Sequence, residues 1–126
     1  MMTNRVLLIE DNEVNSYLIR FVLEQAGYAV QVAANGLEGL EAARAKRPDL
    51  ILMDIGMPVM DGYEATERLK ADPGLFDVPV VALSAHAMEH EKERAYQAGC
   101  IAHIEKPIDM KTFIRQVQTH LGAAAL

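Results

Sequence analysis

Leu50, Ile51, Leu52 and Met53 run without polar interruption into the carboxylate of Asp54, and the stretch IGMPVMDG follows. An apolar run that does not alternate reads as a strand buried on both faces, the kind found in parallel sheets covered by helices on either side. Asp54 then stands at the carboxyl end of a central strand. In an open α/β sheet that edge is where ligands bind, because the loops leaving the strands frame a crevice there. Asp54 therefore has the address of a reactive residue.

Other stretches share the same design, an apolar run ending in a charged or hydroxyl residue. Residues 5–11, RVLLIED, run into Glu10 and Asp11; residues 80–85, VVALSA, present Ser84; residues 100–107, CIAHIEKP, present Lys106. If these strands lie parallel, three acids, a hydroxyl and an ammonium converge on one crevice.

The 126 residues fit a single domain, 1–126, with its core over residues 4–121. A net charge of -6, with no stripe of Lys and Arg, argues against direct nucleic-acid binding. No apolar segment approaches the roughly 20 residues that span a bilayer, and no charged-then-apolar leader is present, so neither membrane insertion nor secretion is expected and the cytoplasm is the default. The one cysteine, Cys100, opens an apolar run and reads as a buried, inert thiol.

Along the chain, Val14, Leu18, Phe21, Val22 and Gln25 fall at helical spacing after the first strand, and Gly27 stops that helix. Residues 28–33 read as a second strand. Leu37, Leu40 and Ala43 mark one face of a second helix, which ends in Arg44, Lys46 and Arg47 and is closed by Pro48. Residues 62–70 form a third helix with Ala65, Thr66 and Leu69 inward, and Asp72-Pro73-Gly74 makes a turn. The fourth strand covers 78–83. Residues 88–98 look helical but carry few large apolar anchors, so this helix is expected to be the most loosely held. Asp109 caps a last helix whose inner face is Phe113, Ile114, Val117 and Leu121. Five strands alternating with five helices imply a doubly wound parallel sheet, since right-handed crossovers place helices on both faces.

Three carboxylates near one point stay ionised only if a cation sits among them. A hard divalent ion with oxygen ligands fits: magnesium, with manganese as a possible substitute, takes one or two carboxylates and keeps waters and a phosphate oxygen. Asp11 and Asp54 suit direct ligation, with Glu10 acting through water. Lys106 and Ser84 have no reason to face a bare cation, but both suit the oxygens of a phosphoryl group beside it. A metal, an ammonium and a hydroxyl sharing charge while a carboxylate attacks in line is the apparatus of phosphoryl transfer, with an aspartyl phosphate on Asp54 as product.

These residues, in this order, resemble the receiver domain of response regulators in two-component signalling, over residues 6–121. The resemblance rests on Glu10-Asp11, on MDIGMPVMDG around Asp54, on Ser84 followed by Ala85, and on Lys106-Pro107. It implies a flavodoxin-like sheet in the order 2-1-3-4-5. It also implies that Asp54 takes phosphate from a phosphohistidine on a histidine kinase or histidine phosphotransferase, with magnesium held by Asp11, Asp54 and the Gly56 carbonyl. Ser84 would swing toward the phosphoryl group and Lys106 would pair with it. The change would be read by a downstream protein target on the face of the fourth helix, fifth strand and fifth helix. In the family the Lys-Pro bond is often cis, which Pro107 allows.

His103, three residues before Lys106, stands where receivers commonly carry an aromatic switch residue, and an imidazole fills that role only in part. Gly56 and His86 fall at positions that tune dephosphorylation in the family. His90 and His120 are expected on polar helical faces, and Met53, Met57 and Met60 around Asp54 as packing.

With no output domain expected after residue 121, a stand-alone switch of the DivK kind is one reading, supported by EDNEVN, PDLILMDI and AGC. A phosphorelay intermediate or a receiver from a hybrid kinase is the alternative. A magnesium-dependent phosphatase using Asp54 is disfavoured, since Gly56 stands where such enzymes usually need a second acid. A monomer or a weak homodimer through the fourth-helix face fits either leading reading.

Overall fold

The computed structural model describes residues 4–55, 62–84, 89–106 and 108–124. Strands and helices alternate: β1 (Arg5–Ile9), α1 (Glu13–Gln25), β2 (Ala29–Ala33), α2 (Gly36–Ala45), β3 (Leu50–Asp54), α3 (Gly62–Ala71), β4 (Val80–Ser84), α4 (Glu89–Ala98), β5 (Ala102–Glu105) and α5 (Met110–Ala124). The strands form one parallel sheet in the order β2-β1-β3-β4-β5, the expected flavodoxin-like arrangement.

Side chains alternate across a strand, so each central strand feeds two cores. Leu7, Ile9, Ile51, Met53, Val80 and Ala82 face one side, where Leu40 and Ala43 of α2, Ala65 and Leu69 of α3, and Ala95 and Ala98 of α4 cover them. Val6, Leu8, Leu50, Leu52, Val81 and Leu83 face the other, against Ile19, Val22 and Leu23 of α1 and Phe113 and Val117 of α5. This two-sided burial is why the strand sequences do not alternate. The edge strand β2, by contrast, leaves Ala29 and Gln31 exposed.

Helix ends follow local chemistry. The Asn12 side chain accepts from the Asn15 N–H at 2.9 Å and Asn35 from Glu38 at 2.9 Å, each satisfying an unpaired amide of a first turn. Asp109 does the same for Lys111 at 2.9 Å, as expected. Gly27 takes φ +98 just past α1, a conformation that favours glycine.

Two helical faces differ from expectation. Of the α1 residues read as a stripe, only Val22 is buried; Val14, Leu18 and Phe21 are 68%, 53% and 48% exposed, and the sheet is contacted instead by Ile19, Val22 and Leu23. The sequence LIRFVLE is apolar on two adjoining stripes, and periodicity alone does not say which one the sheet takes. Leu37 of α2 is likewise exposed, and His120 is half-buried rather than solvated. Helix α4 buries only Ala95 and Ala98, in keeping with weak anchoring. Cys100 is buried, and burial pushes its thiol pKa up.

Candidate functional site

Because all five strands run parallel, their carboxyl ends share one edge. Glu10 and Asp11 follow β1, Asp54 ends β3, Ser84 ends β4 and Lys106 follows β5. The register ties these ends together: the Glu10 N–H donates to the Ala33 carbonyl at 3.0 Å, Ile55 to Leu83 at 3.1 Å, and Lys106 to Ser84 at 2.6 Å. Helix α3 closes against the base of the site. A Cβ at Gly62 would lie 2.6 Å from the Asp54 carbonyl oxygen and 2.7 Å from Ile55 Cα, so only glycine allows this approach.

Lys106 Nζ lies 2.7 Å from Glu10 Oε1 and 3.5 Å from Asp54 Oδ2, placing one ammonium between two carboxylates. All three are withdrawn from water, with Glu10 at 2% and Asp54 at 6% exposure, while Asp11 is exposed at the rim. Burial first, and then the neighbouring Asp54, push the Glu10 pKa up to about 7 against the pull of Lys106. Burial alone would depress the Lys106 ammonium, but Glu10 and Asp54 outweigh it and hold its pKa above the usual lysine value.

Carboxylate oxygens of Glu10, Asp11 and Asp54 lie within 4.8 Å of one another. Among the described residues, Glu10 Oε2 is buried with no hydrogen-bond partner. One ammonium among the described residues faces these three acids, and the donors are all hard oxygens. These residues fit a hard divalent cation.

Ser84 is 6% exposed, and its Oγ lies 2.6 Å from His103 Nε2. Sequence reading treats the two as separate candidates; a strand pairing that sets Ala82 opposite His103 and Ser84 opposite Glu105 brings them together. Gly56, His86 and Pro107 lie outside the described residues, as do Met57 and Met60.

The exposed face of α1 is a feature that sequence reading misses. Val14, Tyr17, Leu18 and Phe21 line it, and beside them runs a groove of about 320 Å³ walled by Leu18, Phe21, Ile108, Met110 and Lys106. The available signal was a helix apolar on more than the stripe a sheet can cover.

Residues 6–118 match the model of the response regulator receiver domain family. The chain belongs to that family. It is 46% identical over 123 residues to the polar-differentiation response regulator DivK of Brucella anthropi, covering 98% of this chain and 100% of that protein. It is equally 46% identical, with the same coverage, to the DivK of Brucella ovis. Among solved structures, the receiver domain of the Pseudomonas aeruginosa sensor histidine kinase PA1611, with magnesium coordinated in its active-site cleft, is 36% identical. Its TM-score is 0.89, with 96% of this chain and 99% of that one covered. Vibrio cholerae chemotaxis protein CheY4 is 27% identical with a TM-score of 0.91, covering 94% of this chain and 99% of that one.

A receiver domain with an acidic pocket at the sheet edge is a module of phosphorylation-dependent two-component signalling, and its partners are kinases or phosphotransferases. No helix among the described residues is long and apolar enough to cross a membrane.

Proposed function

We propose that this receiver domain is a switch that takes a phosphoryl group onto Asp54 from a phosphohistidine of a partner kinase or phosphotransferase. The observation that carries this reading is Lys106 Nζ, held 2.7 Å from Glu10 and 3.5 Å from Asp54, with both carboxylates buried and Asp11 open to water at the rim. A lone ammonium among buried carboxylates is placed to follow negative charge as it moves.

In the transfer, an Asp54 carboxylate oxygen attacks phosphorus in line. The O–P bond forms as the P–N bond to the donor imidazole breaks, and the electron pair of that bond returns to the leaving nitrogen. Lys106 moves its charge from the free carboxylate to a phosphoryl oxygen, and the Ser84 hydroxyl donates to another. Asp11 and Asp54, with Glu10 beside them and the Gly56 carbonyl, would hold magnesium, or manganese in its place. Bound there, the ion supplies charge neutralisation for the incoming phosphoryl oxygens.

The phosphohistidine donor approaches along α1. A histidine-bearing helical partner that buried Val14, Tyr17, Leu18 and Phe21 would lie on the groove that ends at Lys106, where the phosphoryl group must arrive. Readout is assigned to the face of α4, β5 and α5, where His103 and the weakly anchored α4 lie. The likeness to DivK over its whole length favours a switch that acts by binding other proteins. The likeness to a sensor-kinase receiver keeps the phosphorelay intermediate as the second reading. Phosphoryl transfer from Asp54 onward to a histidine phosphotransferase would select the relay.

Intact mass after incubation with acetyl phosphate and magnesium tests the shared chemistry. One phosphoryl adduct on the wild type, absent from Asp54→Asn and absent without magnesium, is the expected result. No adduct under any condition would leave a receiver that works by binding alone.

A further inference from the structure

We propose that His103 is a positioning residue for the Ser84 hydroxyl: its Nε2 accepts the hydroxyl's hydrogen bond in the resting protein, and must release Ser84 or gain a proton of its own when Asp54 carries phosphate. The inference rests on the phosphoacceptor reading of Asp54 and says how that event is passed to β5.

The geometry carries the first half. Ser84 Oγ and His103 Nε2 are 2.6 Å apart. At that separation the pair is hydrogen-bonded, and an Nε2 that carries no proton can only accept, with Ser84 donating. That direction requires a neutral imidazole with its proton on Nδ1. The surroundings suit the neutral form. Burial and Lys92 of α4 disfavour a charged ring, and Glu105 of β5 and Glu91 of α4 offset them only in part, so its pKa lies below the usual histidine value.

The second half follows from counting protons. A hydroxyl has one, and a phosphoryl group offers only acceptors, so Ser84 can serve the phosphoryl group only by donating to it. While Nε2 accepts, that proton is already used. Two outcomes free it: the Ser84–His103 bond breaks, or Nε2 acquires a proton and donates to Oγ. Either way the imidazole registers the phosphoryl group, and by linkage the phosphoryl group favours a protonated Nε2 as much as protonation favours the phosphorylated form. The ring also senses α4 directly. Lys92 bridges Glu89 at 3.8 Å on its own helix and Glu105 at 3.7 Å on β5, so a change at His103 alters the charge balance that ties α4 to the sheet.

The test is long-range proton–nitrogen correlation spectroscopy of the histidine rings in the full chain, with His103 assigned by its loss in His103→Asn. In the free protein at pH 7.5 the expected signal is an unprotonated Nε2, and Ser84→Ala should shift that resonance. Adding beryllofluoride with magnesium, a phosphoryl mimic, should then protonate Nε2 or raise the titration midpoint of His103 by about one pH unit. In parallel, the lifetime of the acetyl-phosphate adduct should depend on pH more steeply between pH 6 and 8 in the wild type than in His103→Phe, where only the titration of Glu10 remains, a difference that a merely packed histidine would not produce. A protonated Nε2 in the free protein that ignores Ser84→Ala overturns the proposal. So does an unmoved His103 ring while amides at Asp54, Ile55 and Lys106 shift with beryllofluoride, a result that leaves the phosphoacceptor reading intact. If those amides do not shift either, the phosphoacceptor reading fails and the coupling with it.

Discussion

Every residue of β3 from Leu50 to Asp54 is buried, whereas α4 buries only Ala95 and Ala98 of its ten residues. The strand is held by apolar packing on both faces and by parallel neighbours on both edges. The helix is held on one side by two methyl groups and by contacts at its rim: Arg94 stacks 4.2 Å over the Tyr63 ring, whose hydroxyl donates to the Glu91 carbonyl at 3.2 Å. Reacting groups must keep their geometry to a fraction of an ångström, while a readout element must shift at small cost, and the two demands are met by different packing. Ser84 and His103 lie between these regions.

The contrast is most easily broken by truncation. Leu52→Ala should lower unfolding free energy by about 3 kcal/mol, because the packed strand cannot close over the cavity. Tyr96→Ala on the half-exposed face of α4 should stay within about 0.5 kcal/mol. Urea unfolding of both variants measures the difference, and equal losses would mean that α4 is as firmly held as the sheet.

Next in size is the charge cluster. Lys106→Met should cost about 2 kcal/mol at pH 8, because it leaves the buried Glu10 and Asp54 without their cation. The cost should shrink at pH 5.5. Glu10 titrates at about 7 in the folded chain, above its ordinary value of 4.5, so its folded form is protonated at pH 5.5 and needs no partner. The same sign makes the metal-free wild type lose stability as pH rises from the ordinary carboxylate range through about 7, since the folded state binds the extra proton.

Magnesium at a few times its dissociation constant should restore about 1 kcal/mol at pH 8 and less at pH 5.5, where protons compete for Glu10. A chelator should abolish the gain, and thermal melts at the two pH values record it. The smallest effect is expected from Arg94→Ala. Loss of the ring contact should cost about 0.5 kcal/mol and speed amide exchange in α4 while leaving β3 unchanged.

Much of this was legible in the sequence, for identifiable reasons. Unbroken apolar runs ending in Asp54, Ser84 and the Glu10-Asp11 pair read as strands buried on both faces, so the parallel sheet and the edge where these side chains meet followed from pattern, while the strand order came from the family resemblance. Asn12, Asn35 and Asp109 sat where helix starts need side-chain acceptors, although only Asp109 was read that way. The face that α1 presents was not legible, because its apolar residues cover two stripes and tertiary packing chose Ile19, Val22 and Leu23 over Val14, Leu18 and Phe21. Nor was the Ser84–His103 contact, which depends on the register of β4 against β5 and on rotamers that one-dimensional spacing does not encode.

Hydrogen exchange with and without beryllofluoride, in the presence of magnesium, tests the coupling of the two regions most directly. Exchange should change within residues 89–98 and 102–105 while the buried amides of β1 and β3 keep their protection, and Asp54→Asn should abolish the response. An identical response in Asp54→Asn, or a change confined to β1 and β3 with α4 unaltered, would contradict a rigid site driving a loosely held reporter.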